Sequence, residues 1–232
     1  MTEQNGPMGF QTRSSPKDGL DDFPTPLWAT RAFIEHGLPG HHSDLKDMTV
    51  WEPCANRGYM VKALKEYFGA VFGTDIHDYG AGFPIIDFLQ CPDPNEGFQA
   101  KIDFIVTNPP FNIAEDIFHH WHDDMPSVQH LALLLRTSWL EGWARYDRIF
   151  GAGKNPSLVC PYVGRVPMVE GRLTRKGATQ MPYAWFVWDR EKSKYSPTRV
   201  AWIPAKRADW ERDGDWPEDE TTEPLEMTNE AD

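Results

Sequence analysis

The sequence contains few cysteines and no long apolar run. Its three cysteines, Cys54, Cys91 and Cys160, lie far apart in 232 residues and lack CxxC spacing, so neither a disulfide scaffold nor a structural zinc site is expected. No stretch of about 18 apolar residues is present, which excludes a membrane-spanning helix. Residues 1–15 are polar and lack the apolar core of a secretion signal. Reduced cysteines in a cytoplasm are the simplest expectation.

Basic residues are also scarce, and their distribution is uneven. The chain has 23 Lys and Arg against 35 Asp and Glu, a net charge of −12, and such an acidic balance disfavours binding to nucleic-acid phosphates. Residues 206–232 contain three basic and eleven acidic residues, a net charge of −8, whereas residues 136–176 contain eight basic and three acidic residues, a net charge of +5. A basic stretch therefore lies inside the folded part, as either a solvated face or a nucleic-acid contact.

Short apolar runs alternate with segments of helical spacing between residues 21 and 205. This alternation predicts one α/β domain whose sheet is mostly parallel, with an antiparallel strand near the C-terminus and helices on both faces. Residues 1–20 and the acidic residues 206–232 are expected to form flexible tails. Strands are predicted at 48–51, 70–74, 101–107, 128–135, 184–188 and 199–203, the last two as antiparallel partners, and helices after Thr25-Pro26 and at 59–68, 112–121 and 139–150.

Two of the predicted strands end in acidic residues. In an open parallel sheet, ligands bind beyond the carboxyl ends of the strands. Glu52 follows the first strand and begins a turn to Gly58, which lets the backbone approach a ligand where the next helix starts. Asp75 follows the second strand, and its carboxylate can accept hydrogen bonds from both ribose hydroxyls of a nucleoside cofactor. Ordinary turns would also account for both residues.

The third predicted strand ends in the segment Asn108-Pro109-Pro110-Phe111. Two consecutive prolines remove two backbone donors and fix an extended loop. This leaves the carbonyl oxygen of Pro109 directed into the cleft beside the amide oxygen of Asn108. Two converging acceptors suit an exocyclic NH2 group, which has two hydrogens to donate. Phe111 supplies an aromatic face for the ring that carries the amine.

With these motifs the sequence resembles the class I S-adenosylmethionine-dependent amino-methyltransferases, specifically the N6-adenine DNA methyltransferases that carry an Asn-Pro-Pro-aromatic motif. It is also similar to the small adenine methyltransferases of phages. The resemblance covers residues 22–204 and implies a Rossmann-like fold in which the cofactor motif precedes the catalytic motif and target recognition comes last. The catalytic motif matches in full, whereas Asn56 and Arg57 occupy a turn that is richer in glycine in the family.

The resemblance implies S-adenosylmethionine as the cofactor and a role for each matching residue. Asp75 would bind the ribose, Asp87 would hydrogen-bond to the cofactor's adenine, Phe88 would stack on it, and residues 23–26 would close over the methionine part. The implied catalytic residues are Asn108, Pro109, Pro110 and Phe111, and the implied cofactor contacts are Phe23, Thr25, Pro26, Glu52, Cys54, Asn56, Gly58, Asp75, Ile76, Asp87, Phe88 and Asn108.

The implied reaction is direct methyl transfer to the N6 nitrogen of adenine in DNA, without a covalent enzyme intermediate. Asn108 and the carbonyl of Pro109 would accept the two amine hydrogens and draw the nitrogen toward tetrahedral geometry, which localises its lone pair for in-line attack on the sulfonium methyl. Positioning and preorganised dipoles would supply most of the acceleration. A target in duplex DNA must be flipped out, and Phe111 would stack on it.

Target recognition is expected from a basic loop at about residues 151–182. Its glycines and cations suit a mobile segment that reaches phosphates, and its small size predicts a short recognition sequence or relaxed specificity. Trp185 or Phe186 is a candidate for the second face of the flipped base, with core packing as the alternative. The implied substrate-binding residues are Phe111, Arg165, Arg172, Arg175 and Lys176.

Several alternatives stay open at this point. The same acceptors suit an RNA adenine or a protein glutamine amide, although the basic stretch favours nucleic acid, and specificity for cytosine N4 usually accompanies serine in place of Asn108. A non-catalytic nucleic-acid-binding or decoy protein could retain the fold. A nucleotide-dependent oxidoreductase is disfavoured because GxGxxG is absent after the first strand. His119 and His122 share a helical face, but no further ligand at suitable spacing accompanies them, so no metal is expected.

The resemblance also carries expectations about partners and location. DNA is the expected partner, with RNA as the alternative, and a membrane is not expected. A phage-encoded protein of this kind would act in the host cytoplasm. The sequence does not indicate an oligomeric state.

Overall fold

The structure, a computed structural model, describes residues 21–38, 42–96, 101–175, 181–192, 196–204 and 206–217. Within these residues seven strands form one sheet, in the spatial order β2-β1-β3-β4-β6-β5-β7. The strands are β1 (Thr49–Glu52), β2 (Ala70–Gly73), β3 (Phe104–Thr107), β4 (His130–Arg136), β5 (Leu158–Pro161), β6 (Tyr183–Asp189) and β7 (Arg199–Val200). The α-helices are α1 (Leu27–Gly37), α2 (His42–Leu45), α3 (Tyr59–Leu64), α4 (Ala114–His119), α5 (Trp143–Arg145) and α6 (Arg207–Trp210).

The sheet is mostly parallel, as predicted. β1 pairs in parallel with β2 and β3, and β3 pairs in parallel with β4. β6 runs antiparallel to both β4 and β5, and β7 is parallel to β5. The central strands β3 and β4 are buried along nearly their whole length because helices or loops cover both faces of the sheet. The observed fold is therefore the expected Rossmann-like α/β fold with a reversed strand near the C-terminus.

One strand and one pairing differ from the prediction. The segments 184–188 and 199–203 were expected to pair with each other, but β5 lies between β6 and β7. β5 falls within residues 151–182, which were predicted to form a recognition loop, and its residues Leu158–Cys160 are buried. Four residues give too short an apolar run to distinguish a buried strand from a loop by pattern. The loop prediction is thus wrong for residues 158–161.

The aromatic residues of β6 pack into the two hydrophobic cores on opposite faces of the sheet. Trp185 stacks on Phe33 of α1 with ring centroids 4.2 Å apart, and Phe186 packs edge-on against Trp139 with centroids 5.1 Å apart. Both β6 side chains are fully buried. Neither is therefore placed to hold a flipped base, and the core-packing interpretation of Trp185 and Phe186 is the correct one.

The helices also depart from the expected boundaries. α1 begins at Leu27, and the N-cap residue Pro26 has no side-chain acceptor with which to cap it. The Thr25 hydroxyl, one residue earlier, accepts a hydrogen bond from Asn108. The helix predicted at 139–150 is divided into a 3-10 turn (Thr137–Leu140), the single turn of α5 and a π-helical turn (Tyr146–Phe150), and Gly142 at φ +120° separates the first two. Among the described helices, none is both long and apolar enough to cross a membrane.

Residues 206–217 belong to the folded body, contrary to the expectation of a loose tail from Lys206 onward. α6 packs against α1. Asp215 binds the guanidinium of the fully buried Arg31 through two hydrogen bonds of 2.5 and 2.8 Å, and Trp216 is buried. An ion pair with a buried arginine holds this acidic segment in place. Residues 1–20 and 218–232, also predicted to be flexible, lie outside the described residues.

Candidate active site

A cleft lies at the carboxyl ends of β1, β2 and β3. It encloses about 810 Å³ of space, including its open mouth. Of the residues predicted from the sequence, it is lined by Phe23, Thr25, Glu52, Cys54, Asn56, Asp75, Ile76, Asp87, Phe88, Asn108 and Pro110. Residues outside the implied set of contact residues also line it: Asp21, Pro24, Pro53, Ala55, Tyr59, Met60, Tyr79, Ile86, Leu89, Ile113 and Ile117.

The remaining predicted residues lie outside this lining. Pro26, Gly58, Pro109 and Phe111 adjoin residues that line the cleft. Arg165 and Arg172 are exposed on the segment after β5, and Arg175 forms an ion pair with Glu211. Lys176 lies outside the described residues. The cofactor and catalytic motifs therefore converge, whereas the predicted substrate-binding arginines are spread over a separate segment.

Glu52 lies at the base of the cleft and is 1% exposed. Its Oε1 accepts hydrogen bonds from the backbone N–H of Cys54 at 3.0 Å and from the hydroxyl of Thr107 at 2.5 Å. Its Oε2 is buried without a hydrogen-bond donor among the described residues. Burial disfavours the charged form and raises the pKa of Glu52 to about 8, although the two hydrogen bonds lower it in part. One oxygen of this carboxyl group is thus available to a ligand.

The turn from Glu52 to Gly58 forms with Asn56 and Arg57 in place of the additional glycines common in the family. Asn56 adopts φ +50°, the left-handed region that asparagine tolerates better than most residues. Gly58, at φ +81°, has no room for a side chain, because a Cβ atom would lie 2.9 Å from the ring of Phe83. The backbone N–H of Asn56 donates to Asp75 Oδ2 at 2.8 Å, so the ends of β1 and β2 are joined through this turn.

Asp75 and Asp87 place two further carboxylates along the cleft. Asp75 is buried, accepts hydrogen bonds from the backbone N–H groups of Asn56 and His77, and has its pKa raised by burial. Asp87 caps a 3-10 turn (Phe88–Gln90) by accepting from the N–H of Leu89 at 3.1 Å. This cap fixes the adjacent Phe88, whose ring packs against Trp51 at 5.2 Å between centroids.

The catalytic loop predicted from the sequence is held by the chain that precedes α1. Asn108 Nδ2 donates to the carbonyl oxygen of Phe23 and to Oγ1 of Thr25, each at 3.0 Å. Both partners accept hydrogen bonds here, so the amide nitrogen must face them and the orientation of the amide group is fixed. Asn108 Oδ1 is consequently a buried acceptor without a donor among the described residues.

Residues 21–25, which we term the strap, connect the cofactor turn with the catalytic loop. Asp22 accepts hydrogen bonds from both terminal nitrogens of Arg57, at 2.6 and 2.9 Å, and from Asn56 Nδ2 at 2.7 Å. Asp21 Oδ2 accepts from the backbone N–H of Phe111 at 3.3 Å. Asp21 and Asp22 were not predicted as site residues. Two adjacent carboxylates before the Phe-Pro-Thr-Pro segment were the available sequence signal.

The three histidines of the segment after the catalytic loop have partners in their own neighbourhood. The Nδ1 atoms of His119 and His122 lie 3.6 and 2.6 Å from the carboxylate of Asp123, and His120 Nδ1 lies 2.9 Å from Asp124 Oδ2. His120 Nε2 also contacts the carbonyl oxygen of Cys91 at 3.0 Å. Within the described residues, no group of three or more His, Cys, Asp or Glu side chains is arranged to hold a metal ion.

The raised pKa of Glu52 leads to a prediction about stability. In the unfolded chain the pKa of this carboxyl is about 4.3, lower than in the folded chain. The contribution of Glu52 to the free energy of unfolding therefore falls as the pH rises from about 4 to about 8. Glu52→Gln removes the ionisable group and keeps the Oε1 acceptor. We expect this variant, without cofactor, to exceed the wild type in free energy of unfolding by about 1–3 kcal/mol at pH 8, and by much less at pH 5.

Urea unfolding at the two pH values measures this difference. Glu141→Gln is a suitable control because Glu141 is exposed, and its substitution should change stability little at either pH. Equal effects of Glu52→Gln at pH 5 and pH 8 would show that Glu52 does not titrate as its burial requires.

Comparison with known proteins supports the fold. No protein-family model and no curated protein match the chain. A solved structure described as a candidate RNA methyltransferase from Pyrococcus horikoshii is similar with a TM-score of 0.51 and 14% identity, over 76% of this chain and 90% of that one. A methyltransferase subunit of a type I restriction-modification system from Streptococcus thermophilus is similar with a TM-score of 0.49 and 14% identity, over 74% of this chain.

The chain spans 45% of the length of that Streptococcus thermophilus subunit, and the same share of a modification subunit of a type I restriction enzyme from Vibrio vulnificus. At such identities the likeness establishes the architecture alone. The chain therefore has a Rossmann-like α/β fold similar to that of the Pyrococcus horikoshii structure, and the chemistry must be argued from the cleft.

Proposed function

We propose that this chain is an S-adenosylmethionine-dependent methyltransferase that acts on the N6 amino group of adenine in DNA. The observation that carries the proposal is the buried amide oxygen of Asn108. Two acceptors of the strap hold the amide nitrogen, so the oxygen is presented as an acceptor that the described chain does not satisfy. Buried polar atoms are nearly always hydrogen-bonded in proteins, and exceptions commonly mark functional sites.

The cleft has the donor and acceptor groups that S-adenosylmethionine requires. Glu52 Oε2, buried and without a donor among the described residues, suits the ammonium group of the methionine part, whose positive charge would favour the ionised carboxylate when it binds. Asp75 suits the ribose hydroxyls, and Asp87 with the fixed ring of Phe88 suits the adenine. When bound, the cofactor supplies a methyl group on a positively charged sulfur.

The chain's own contribution is to position and polarise the amine of the target base. Asn108 Oδ1 accepts one amine hydrogen, and the carbonyl of Pro109 accepts the other. This pair of acceptors draws the lone pair of the nitrogen out of conjugation with the ring. The strap keeps Asn108 in place before the target arrives, so little reorganisation is required during the reaction.

The burial of the amide oxygen of Asn108 favours a base flipped out of its stack as the substrate. Asn108 lies in the cleft and its Oδ1 is buried, so a base within a duplex stack could not reach it. Arg165 and Arg172 are exposed and form no ion pair with any described residue, which leaves their charges available for phosphates. Nucleic acid therefore suits this surface better than a protein glutamine.

Methyl transfer from radiolabelled S-adenosylmethionine tests the proposal. The wild-type protein is incubated in parallel with unmethylated DNA, RNA and cell protein, and labelled DNA is digested to nucleosides. We expect label in DNA as N6-methyl-2′-deoxyadenosine, and at least about a hundredfold slower labelling with Asn108→Ala. Label in RNA or protein alone would keep the chemistry and overturn the substrate.

Cofactor binding measured by calorimetry distinguishes the remaining outcomes. Binding without transfer to any acceptor would favour a non-catalytic nucleic-acid-binding protein or decoy that retains the fold. Absence of both binding and transfer would contradict the assignment of the cleft itself.

A further inference from the structure

Arg136 lies beside the predicted catalytic loop and has no acidic partner among the described residues. It is the last residue of β4, next to the end of β3, and its side chain is half-buried. Its guanidinium carbon lies 5.0 Å from the centre of the Phe111 ring. Its Nε is buried without an acceptor, and its guanidinium forms no hydrogen bond or ion pair with the part of the chain that the structure describes.

Other arginines of similar burial are fully engaged. Arg57 binds Asp22 through two nitrogens, and Arg145 binds Glu115 at 2.9 Å. Arg190 donates to the carbonyl oxygen of Val128 at 2.9 Å and to further carbonyl oxygens nearby. A half-buried arginine with an unsatisfied Nε is an exception that calls for a ligand. The ring of Phe111 offers a cation–π contact but no acceptor atom.

The position of Arg136 follows from the register of the sheet. Arg136 is paired with Tyr183 across β4 and β6, and the ring of Tyr183 lies 6.1 Å from that of Phe111 at an angle of 42°. The Phe111 ring is therefore contacted by both members of one pair in the sheet. A base stacked on Phe111 needs a free face of its ring, and the guanidinium of Arg136 lies over one face of that ring.

We propose that Arg136 binds a phosphate of the target strand next to the flipped adenine, and that its guanidinium covers Phe111 when nucleic acid is absent. The inference rests on the proposed function. A planar guanidinium matches two phosphate oxygens with two parallel hydrogen bonds. When the base stacks on Phe111, it replaces the cation–π contact, and the released guanidinium gains an anionic acceptor that no described residue supplies.

Steady-state kinetics with an unmethylated DNA duplex at several NaCl concentrations test this role. For Arg136→Gln we expect the KM for DNA to rise about tenfold and the slope of log KM against log salt to fall by about one, as for the loss of one phosphate contact. The KM for S-adenosylmethionine should stay unchanged. Arg136→Lys should keep the salt slope, because it keeps the charge, and recover only part of the affinity, because it loses the paired hydrogen bonds.

Arg199→Gln is the matched control. Arg199 is exposed on β7 beside Leu158 at the start of β5, at the opposite end of the sheet from the catalytic loop. Its loss changes the net charge equally and should leave the KM and the salt slope as in the wild type. A general effect of charge would appear in both variants, whereas a phosphate contact would appear in Arg136→Gln alone.

The outcomes separate this inference from the proposed function. Wild-type transfer to DNA together with unchanged KM and salt slope in Arg136→Gln would overturn the role of Arg136 alone. A fall in kcat with an unchanged salt slope would also overturn it, because Arg136 would then only position Phe111. Absence of wild-type transfer to nucleic acid would overturn the proposed function, and the role of Arg136 with it.

Discussion

Replacing Asn108 with alanine should lower kcat for methyl transfer by about a hundredfold to a thousandfold, the range seen when one preorganised polar group is removed from an active site. The substitution removes the buried Oδ1 acceptor and also the two hydrogen bonds that Nδ2 donates to Phe23 and Thr25. We expect the dissociation constant for S-adenosylmethionine to change by less than about fivefold, since most cleft-lining groups remain. Single-turnover transfer to DNA and calorimetry measure the two effects.

Asn112→Ala provides the matched control for this experiment. Asn112 is exposed, lies four residues farther along the chain and forms no side-chain hydrogen bond with a described residue, so its loss should leave kcat near that of the wild type. Asn108→Asp tests whether an oxygen acceptor is sufficient without the Nδ2 donor that binds the strap. It keeps an acceptor but places a second oxygen against the carbonyl of Phe23, and we expect it to be as inactive as Asn108→Ala. Transfer by Asn108→Ala within tenfold of the wild-type rate would contradict the assignment of Asn108.

Replacing Asp215 with alanine should lower the free energy of unfolding by about 3 kcal/mol, because it leaves the buried Arg31 with a poorly compensated charge. Arg31 donates to Asp215 at 2.5 and 2.8 Å, to Glu66 at 2.8 Å and to the carbonyl oxygen of Trp210 at 2.8 Å. Glu66 and Trp210 remain in the variant, so the effect should lie at the lower end for broken buried pairs. Urea unfolding at pH 7 measures it, and a fall in Tm of about 6–12 °C should accompany it.

Arg212→Ala is the control for the Asp215 experiment. Arg212 binds the same Glu66 at 2.6 Å, but its side chain is 56% exposed, and pairs of this kind contribute about 0–1 kcal/mol. A loss of less than 1 kcal/mol in Asp215→Ala would show that residues 206–217 contribute little to the fold. Removal of residues 206–232 should destabilise the protein at least as much as Asp215→Ala, since it also exposes the buried Trp216.

The folded C-terminal segment, residues 206–217, also pairs with part of the basic stretch at residues 136–176. Arg175 pairs with Glu211, and Arg207 donates to the carbonyl oxygen of Arg175 at 2.9 Å. One of the predicted substrate-binding arginines is therefore neutralised within the chain. Arg165 and Arg172 keep exposed charges, and the guanidinium of Arg136 lies over the ring of Phe111. The cations without an ion pair among the described residues are thus fewer than the composition of residues 136–176 indicates.

The sequence by itself determined six of the seven strands in their chain order and the residues at the first three strand ends. Apolar runs of four to seven residues reveal buried strands because their side chains must be covered on both faces of the sheet. Consecutive prolines mark the catalytic loop because they restrict the backbone locally, whatever the rest of the chain does. The convergence of Glu52, Asp75 and Asn108 at one edge follows from parallel strand order.

Only the tertiary structure decided which polar groups meet. Asp215 reaches Arg31 across 184 residues of chain, and the strap reaches Asn108 across 85 residues. The placement of β5 between β6 and β7 and the contact of Arg136 with Phe111 likewise depend on how the chain returns to the sheet. Hydrophobic patterning encodes burial, which is local and non-directional, whereas hydrogen bonds and ion pairs require a particular partner at a particular distance and angle. That requirement is met only once the whole chain has folded.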